Sequence, residues 1–160
     1  MFRLPWGKYS DPGLVADMAA IEQELGLHYF IANCSFTLAS GINNGPASWS
    51  VLLDPQHMVD GTSTVKISKT GLWYISYNST LSVTPVGAST FTTTPVANGN
   101  ANGAMSDNAL MSAVSFGYHN RDSGPWELNK GDAMTILCSS NAGASGTCTA
   151  VLRGFYIGQR

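Results

Sequence analysis

Residues 62–81 read TSTVKISKTGLWYISYNSTL. Val65 and Ile67 alternate with Thr64, Lys66 and Ser68. Beyond a Thr70-Gly71 break, Trp73, Ile75 and Tyr77 alternate with Tyr74, Ser76 and Asn78. A period of two with a polar opposite face describes antiparallel strands buried on one side only. The Thr-Gly pair between the two runs is a turn signal.

The same pattern extends outward in both directions. HYFIANCSFTL, WSVLLD, TVKIS, LWYISYNSTLSV, LMSAVSFGYH, WELN, AMTILCS and CTAVLRGFYIG are candidate strands. They are separated by the turn-rich segments SGINNGPAS, DPQHMVDG, SKTG, NRDSGP, NKGD and SNAGASG. About eight short strands between Leu27 and Arg160 predict an all-β, antiparallel jelly-roll sandwich. One stretch, PVGASTFTTTPVANGNANGAMSDN, is rich in Ala, Asn, Gly and Thr and is expected to be mostly a long exposed loop.

The first 26 residues differ from this body. Met1 to Tyr9 carry Phe2, Leu4, Trp6 and Tyr9, interrupted by Pro5 and Gly7. Proline and glycine exclude a helix there and make a poor central strand. The segment reads as an extended arm (residues 1–9) with apolar teeth, which either packs back on its own domain or docks into another protein. Residues 10–26, SDPGLVADMAAIEQELG, read as a short neck helix. Ser10 or Asp11 caps it, Pro12 sits in its first turn and Gly26 stops it. Leu14, Met18, Ile21 and Leu25 are spaced 4, 3 and 4, a heptad seam. About two heptads are too short to stand alone in water. The helix therefore leans on its own sandwich or on symmetry copies of itself. The expected organisation is arm 1–9, neck 10–26 and head domain 27–160.

Composition narrows the function classes. The chain has 160 residues, only 11% of them charged, and a net charge of −2. Its eight Lys and Arg residues are scattered along the sequence, without the basic stripe a nucleic acid requires. No apolar run is long enough to span a bilayer as a helix. The start, MFRLPWGKYS, lacks the apolar centre of a secretory leader, so synthesis in a cytoplasm is expected. Cys34, Cys138 and Cys148 are an odd set for a disulfide framework. Small buried hydrophobes are the favoured reading, although Cys138 and Cys148 could also face each other across a hairpin.

Signatures of catalysis are sparse. His28, His57 and His119 have no His or Cys at metal-ligand spacing, so neither a metal nor a cofactor is expected. No G-x-S-x-G elbow exposes a serine, and NGNANG lacks the lysine and helix of a phosphate loop. Asp54, Asp60, Asp107, Asp122, Glu127 and Asp132 lie mostly beside Gly, Pro or Asn, where turns favour acids. An enzyme is not expected. Trp49 and Trp126, next to GPAS and DSGP, are expected to be partly exposed and are candidate ligand contacts.

Four of these segments resemble a known family. The opening NCSFTL, then TSTVKISKTGLWYISYNSTL, WELNKGDAMTIL and the closing AVLRGFYIG are similar, in that order, to segments of the complement-type globular-head and tumour-necrosis-factor-like superfamily. The resemblance implies a jelly roll that trimerises through an apolar face around a threefold axis. The collagen-like stalk common in the animal members is missing from this sequence. The N-terminal R-L-P-W arm, the S-D-P start and the acidic helix resemble small structural proteins of tailed bacteriophages: minor tail, fibre or decoration subunits.

Taken together, the expected protein is a virion structural protein made in the host cytoplasm. It is a homotrimeric knob whose arm (Phe2, Leu4, Trp6) docks into other virion proteins and whose neck seam (Leu14, Met18, Ile21, Leu25) meets sister chains. Contact with a host-surface glycan or protein is a further expectation. A soluble carbohydrate- or receptor-binding module is the second reading, and a glycan-cleaving jelly roll with paired acids is the third.

Overall fold

The computed structural model describes residues 26–39, 44–84, 89–101, 107–111, 115–140 and 145–159, of which 101, 107–111 and 115–124 are described by backbone alone. The expected arm, and the neck seam residues Leu14, Met18, Ile21 and Leu25, lie outside the described residues. The expected neck helix, residues 10–26, lies outside the described residues except for Gly26, which has φ +65°.

Among the described residues there are ten strands: β1 Tyr29–Leu38, β2 Ser50–Leu53, β3 Val65–Lys66, β4 Gly71–Thr84, β5 Ser89–Ala97, β6 Asn100–Ala101, β7 Asp107–Met111, β8 Ser115–Leu128, β9 Ala133–Ser140 and β10 Ser145–Gly158. They form two antiparallel sheets. The first has the order β2-β1-β10-β4-β8, and the second runs β3-β9-β5-β6 with β7 also paired to β5. After β2 the chain changes sheet at each step except from β5 through β7, which stay together in the second sheet. The all-β sandwich is thus as expected.

The period-two pattern decides which side chains enter the core. Phe30, Ala32, Cys34, Phe36 and Leu38 point inward from β1. Trp73, Ile75, Tyr77, Leu81 and Val83 do so from β4, Met134, Ile136 and Cys138 from β9, and Cys148, Ala150 and Leu152 from β10. Gly154 continues the inward row of β10, where a Cβ would run into the Phe30 ring. A glycine there lets an aromatic ring from β1 lie flat over its neighbour strand. The Tyr77 hydroxyl donates to the Thr93 carbonyl at 3.0 Å, which satisfies the one polar atom that this ring carries into the core.

All three cysteines are free and buried, as the favoured reading held. Burial pushes the Cys34 thiol up to about 12. The hydrogen bond to Cys138, and then burial, push Cys148 higher still.

Two expectations are corrected. The Ala/Asn/Gly/Thr-rich stretch is not mostly an exposed loop: β5 runs through it and is central in its sheet, with Phe91 and Thr93 fully buried. Its alternating pattern, S-T-F-T-T-T-P-V, is a strand pattern written in threonine, whose branched side chain suits a pleated surface. Pro95 is tolerated because the β7 pairing ends at Thr93 and the β6 pairing begins at Val96. Secondly, LMSAVSFGYH is not one strand. β7 ends at Met111 and β8 begins at Ser115, and β8 then runs straight through NRDSGP, which was expected to turn. The strand absorbs the glycine and proline as a bulge opposite the Tyr74/Ser76 step of β4.

Candidate oligomerisation face

One sheet turns its outer face away from the core, and its register can be read row by row. Tyr29 of β1 lies opposite Phe155 of β10, which lies opposite Tyr74 of β4, which lies opposite Pro125 of β8. All four alternate with inward-pointing neighbours. The Tyr29 and Phe155 rings stack, with centroids 6.2 Å apart and planes 18° from parallel. The next row pairs Leu53 with Ile31, Ile31 with Arg153 and Arg153 with Ser76. This end of the sheet therefore presents a ring-and-aliphatic band across four strands.

Among the described residues six large apolar side chains are exposed, and Leu53 and Phe155 lie in these rows. Val51, Leu52 and Leu53 are on the edge strand β2, Phe155 (42% exposed) and Ile157 (57% exposed) are on β10, and Leu27 precedes β1. All six are on this sheet or on the segment that leads into it; among the described residues none is on the other sheet. Grouped exposure of this kind marks an interaction surface, whereas single exposed apolar residues do not.

The other end of the same face is small and polar. Its rows are Ser35–Thr149–Thr80 and Thr37–Thr147–Ser82. Between the two ends, Arg153 Nη1 donates to Asn78 Oδ1 at 3.0 Å, and Asn33 Oδ1 is buried without a hydrogen-bond partner. The face is flat, uncharged apart from Arg153 among its named rows, and graded from greasy to polar.

The tryptophans expected to touch ligand fall elsewhere. Trp49 is only 2% exposed, and its Nε1 donates to the Ser63 carbonyl at 3.1 Å. The expectation of partial exposure fails because the loop after β2 folds back and covers the indole. Trp126 is on β8, opposite Trp73 in register, and packs half-buried against the core. The two stand toward opposite edges of the sheet, so the structure does not bring them together. The residues that sequence reasoning missed are Tyr29, Ile31, Tyr74, Phe155 and Ile157. Their signal was present: β1 begins Tyr-Phe-Ile and β10 ends Phe-Tyr-Ile, with large apolar residues on both parities of the strand. A strand with a solvated outer face would carry them on only one.

No protein-family model matches the chain, and no curated protein matches it. Solved structures do. The globular domain of zebrafish complement 1qA superposes with a TM-score of 0.59 at 16% identity, over 83% of this chain and 99% of that one. The TNF protein Eiger from S. frugiperda superposes at 0.52 and 8% identity, over 83% and 95% of the two chains. PRD1 vertex protein P5, at 0.49 and 9% identity over 80% and 73%, is too remote to carry an argument. The fold is therefore that of the C1q and TNF jelly rolls, with the two five-membered sheets arranged as described above.

Proposed function

We propose that this chain is a non-enzymatic structural knob that assembles as a homotrimer, packing the β2-β1-β10-β4 face of each copy around a threefold axis. The observation that carries the reading is the band of Phe155, Ile157, Leu53 and the Tyr29–Phe155 stack on the outer face of this sheet. Covering one such side chain contributes about 1.5–3 kcal/mol. Three copies bury the same set three times, and Asn33 Oδ1 then gains donors from a neighbour. The jelly-roll fold agrees with the trimeric assembly that the sequence resemblance implies.

The knob belongs on a virion. The arm with Phe2, Leu4 and Trp6 anchors it to other virion proteins, and the seam of Leu14, Met18, Ile21 and Leu25 forms a neck whose three helices meet below the heads. The bacteriophage-like N-terminal pattern supports this part of the reading, and repetition of weak surface contacts in a trimer suits host attachment. Light scattering of the purified chain gives three times the monomer mass if the proposal holds; a monomer at micromolar concentration overturns it. Removing residues 1–9 leaves a folded trimer that no longer enters particles, and normal incorporation without the arm rules out the anchoring role.

A further inference from the structure

A second surface feature lies at the end of the sandwich where β1 starts. The segment before β1, the β2–β3 loop, the end of β3 and the β8–β9 turn line an open cavity of about 510 Å³. Its walls carry His28, His57, Lys66 and Lys130, and its lining includes the buried apolar side chains of Met58 and Ile67. Lys69 stands beside this wall, with its Nζ 4.5 Å from the centre of the Tyr156 ring, and its charge reaches His28. Three lysines and two histidines thus gather at one place on a chain whose net charge is −2.

The charge of the lysines is only partly met internally: the Thr62 hydrogen bonds and, more weakly, the Lys66 ammonium hold the Asp60 carboxyl below its ordinary range. The nearby carboxylates are engaged with their own loops. Asp54 Oδ2 accepts from Val59 N at 2.6 Å, and Asp60 Oδ1 accepts from Thr62 N at 3.0 Å. Asp132 accepts from Asn98 Nδ2 at 2.6 Å and from Asn129 N at 2.7 Å. Among the described residues, none of these acids forms an ion pair with Lys66 or Lys130. Ser68 Oγ, 2.7 Å from His28 Nδ1, adds a hydroxyl to the same wall. Cations converging on a concave surface attract and hold an oxyanion far better than the same cations dispersed. The volume exceeds that of a bare phosphate or sulfate and falls in the range of small-ligand sites. Met58 and Ile67 offer a carbon skeleton something to lie against.

We infer that this cavity binds the oxyanion group of a small organic ligand, a phosphate, sulfate or carboxylate on a body the size of one sugar ring. Lys66 and Lys130 supply the charge, and His28 and Ser68 supply the hydrogen bonds. This site lies at the same end of the sandwich as the proposed trimer band but shares none of its residues, and does not depend on it.

The test is a titration of the isotope-labelled full chain at constant ionic strength, followed by amide and imidazole resonances. The probes are a hexose monophosphate, a hexose monosulfate, a hexuronate and the neutral hexose. The expected result is saturable shifts at His28, Ser68 and Gly131 with at least one anionic probe, and none with the neutral hexose. The strongest arm identifies the anion. Lys66→Ala combined with Lys130→Ala, both on exposed side chains, weakens that binding at least tenfold while the spectrum elsewhere stays unchanged. Arg153→Ala, on the sheet face, leaves it as it was. Non-saturating shifts, equal response to the neutral hexose, or full affinity in the double variant each overturn the inference.

Discussion

His28 shows how much one position can be asked to do. It closes the end of the core, where its ring meets Trp73 and Tyr156 edge-on at centroid distances of 6.5 and 5.8 Å. Burial, and then the Lys69 ammonium, hold its pKa below the ordinary 6.5. The unfolded chain therefore binds a proton more readily than the folded one. The stability from neutral His28 is fully present above about pH 6.5 and is lost as pH falls toward the lower, folded-state pKa. Imidazole titration by NMR should give a midpoint under 6.5. His28→Gln should flatten the decline in unfolding free energy over that same window. A midpoint at or above 6.5 contradicts the assignment. At this scale the sequence was partly legible. Asp132 was read as a turn residue from K-G-D, and it accepts from Asn129 N while Gly131 takes φ +92°. Trp49 was misread because its position next to Gly-Pro-Ala-Ser says nothing about a loop some 14 residues later that supplies the Ser63 carbonyl.

Among the elements, β5 carries the sharpest contrast with what composition suggests. A strand of five polar residues, one proline and few large hydrophobes reads as linker, yet it pairs with β9 on one side and with β7 and β6 on the other. The reason is tertiary. Its inward residues need to fill only the space left by Tyr77 and Ile136, and threonine's methyl is enough where Phe91 already fills the widest part. Phe91→Ala should cost about 3–5 kcal/mol in a denaturant unfolding curve, the cost of a core aromatic. A change below about 0.5 kcal/mol, as for an exposed loop residue, would return the stretch to the loop reading. β4 and β9, by contrast, were legible from alternation, because their inward residues are mostly large and apolar: Trp73, Ile75, Tyr77, Leu81 and Val83 on one, Met134, Ile136 and Cys138 on the other.

The described part of the molecule is a sandwich with two kinds of outer surface, and the proposed assembly rests on the difference. The sheet β2-β1-β10-β4-β8 exposes aromatic and aliphatic side chains that a solitary domain has no reason to carry. Phe155→Asp combined with Ile157→Asp places two charges in the middle of the proposed contact. The expected outcome is a monomer by light scattering with an unchanged circular dichroism spectrum, since both side chains point out of the core. A persistent trimer would move the contact to another surface.

Local periodicity and turn chemistry determined the strands, the inward-facing set and the all-β class, because each depends on residues within a few positions of one another. Only the tertiary structure decided that the apolar outer residues of β1, β2 and β10 lie in one band. It alone brought His28, Lys66 and Lys130, far apart in the chain, around one cavity. Both depend on strand order and on which sheet each strand joins, and those are settled by packing over the full length of the chain.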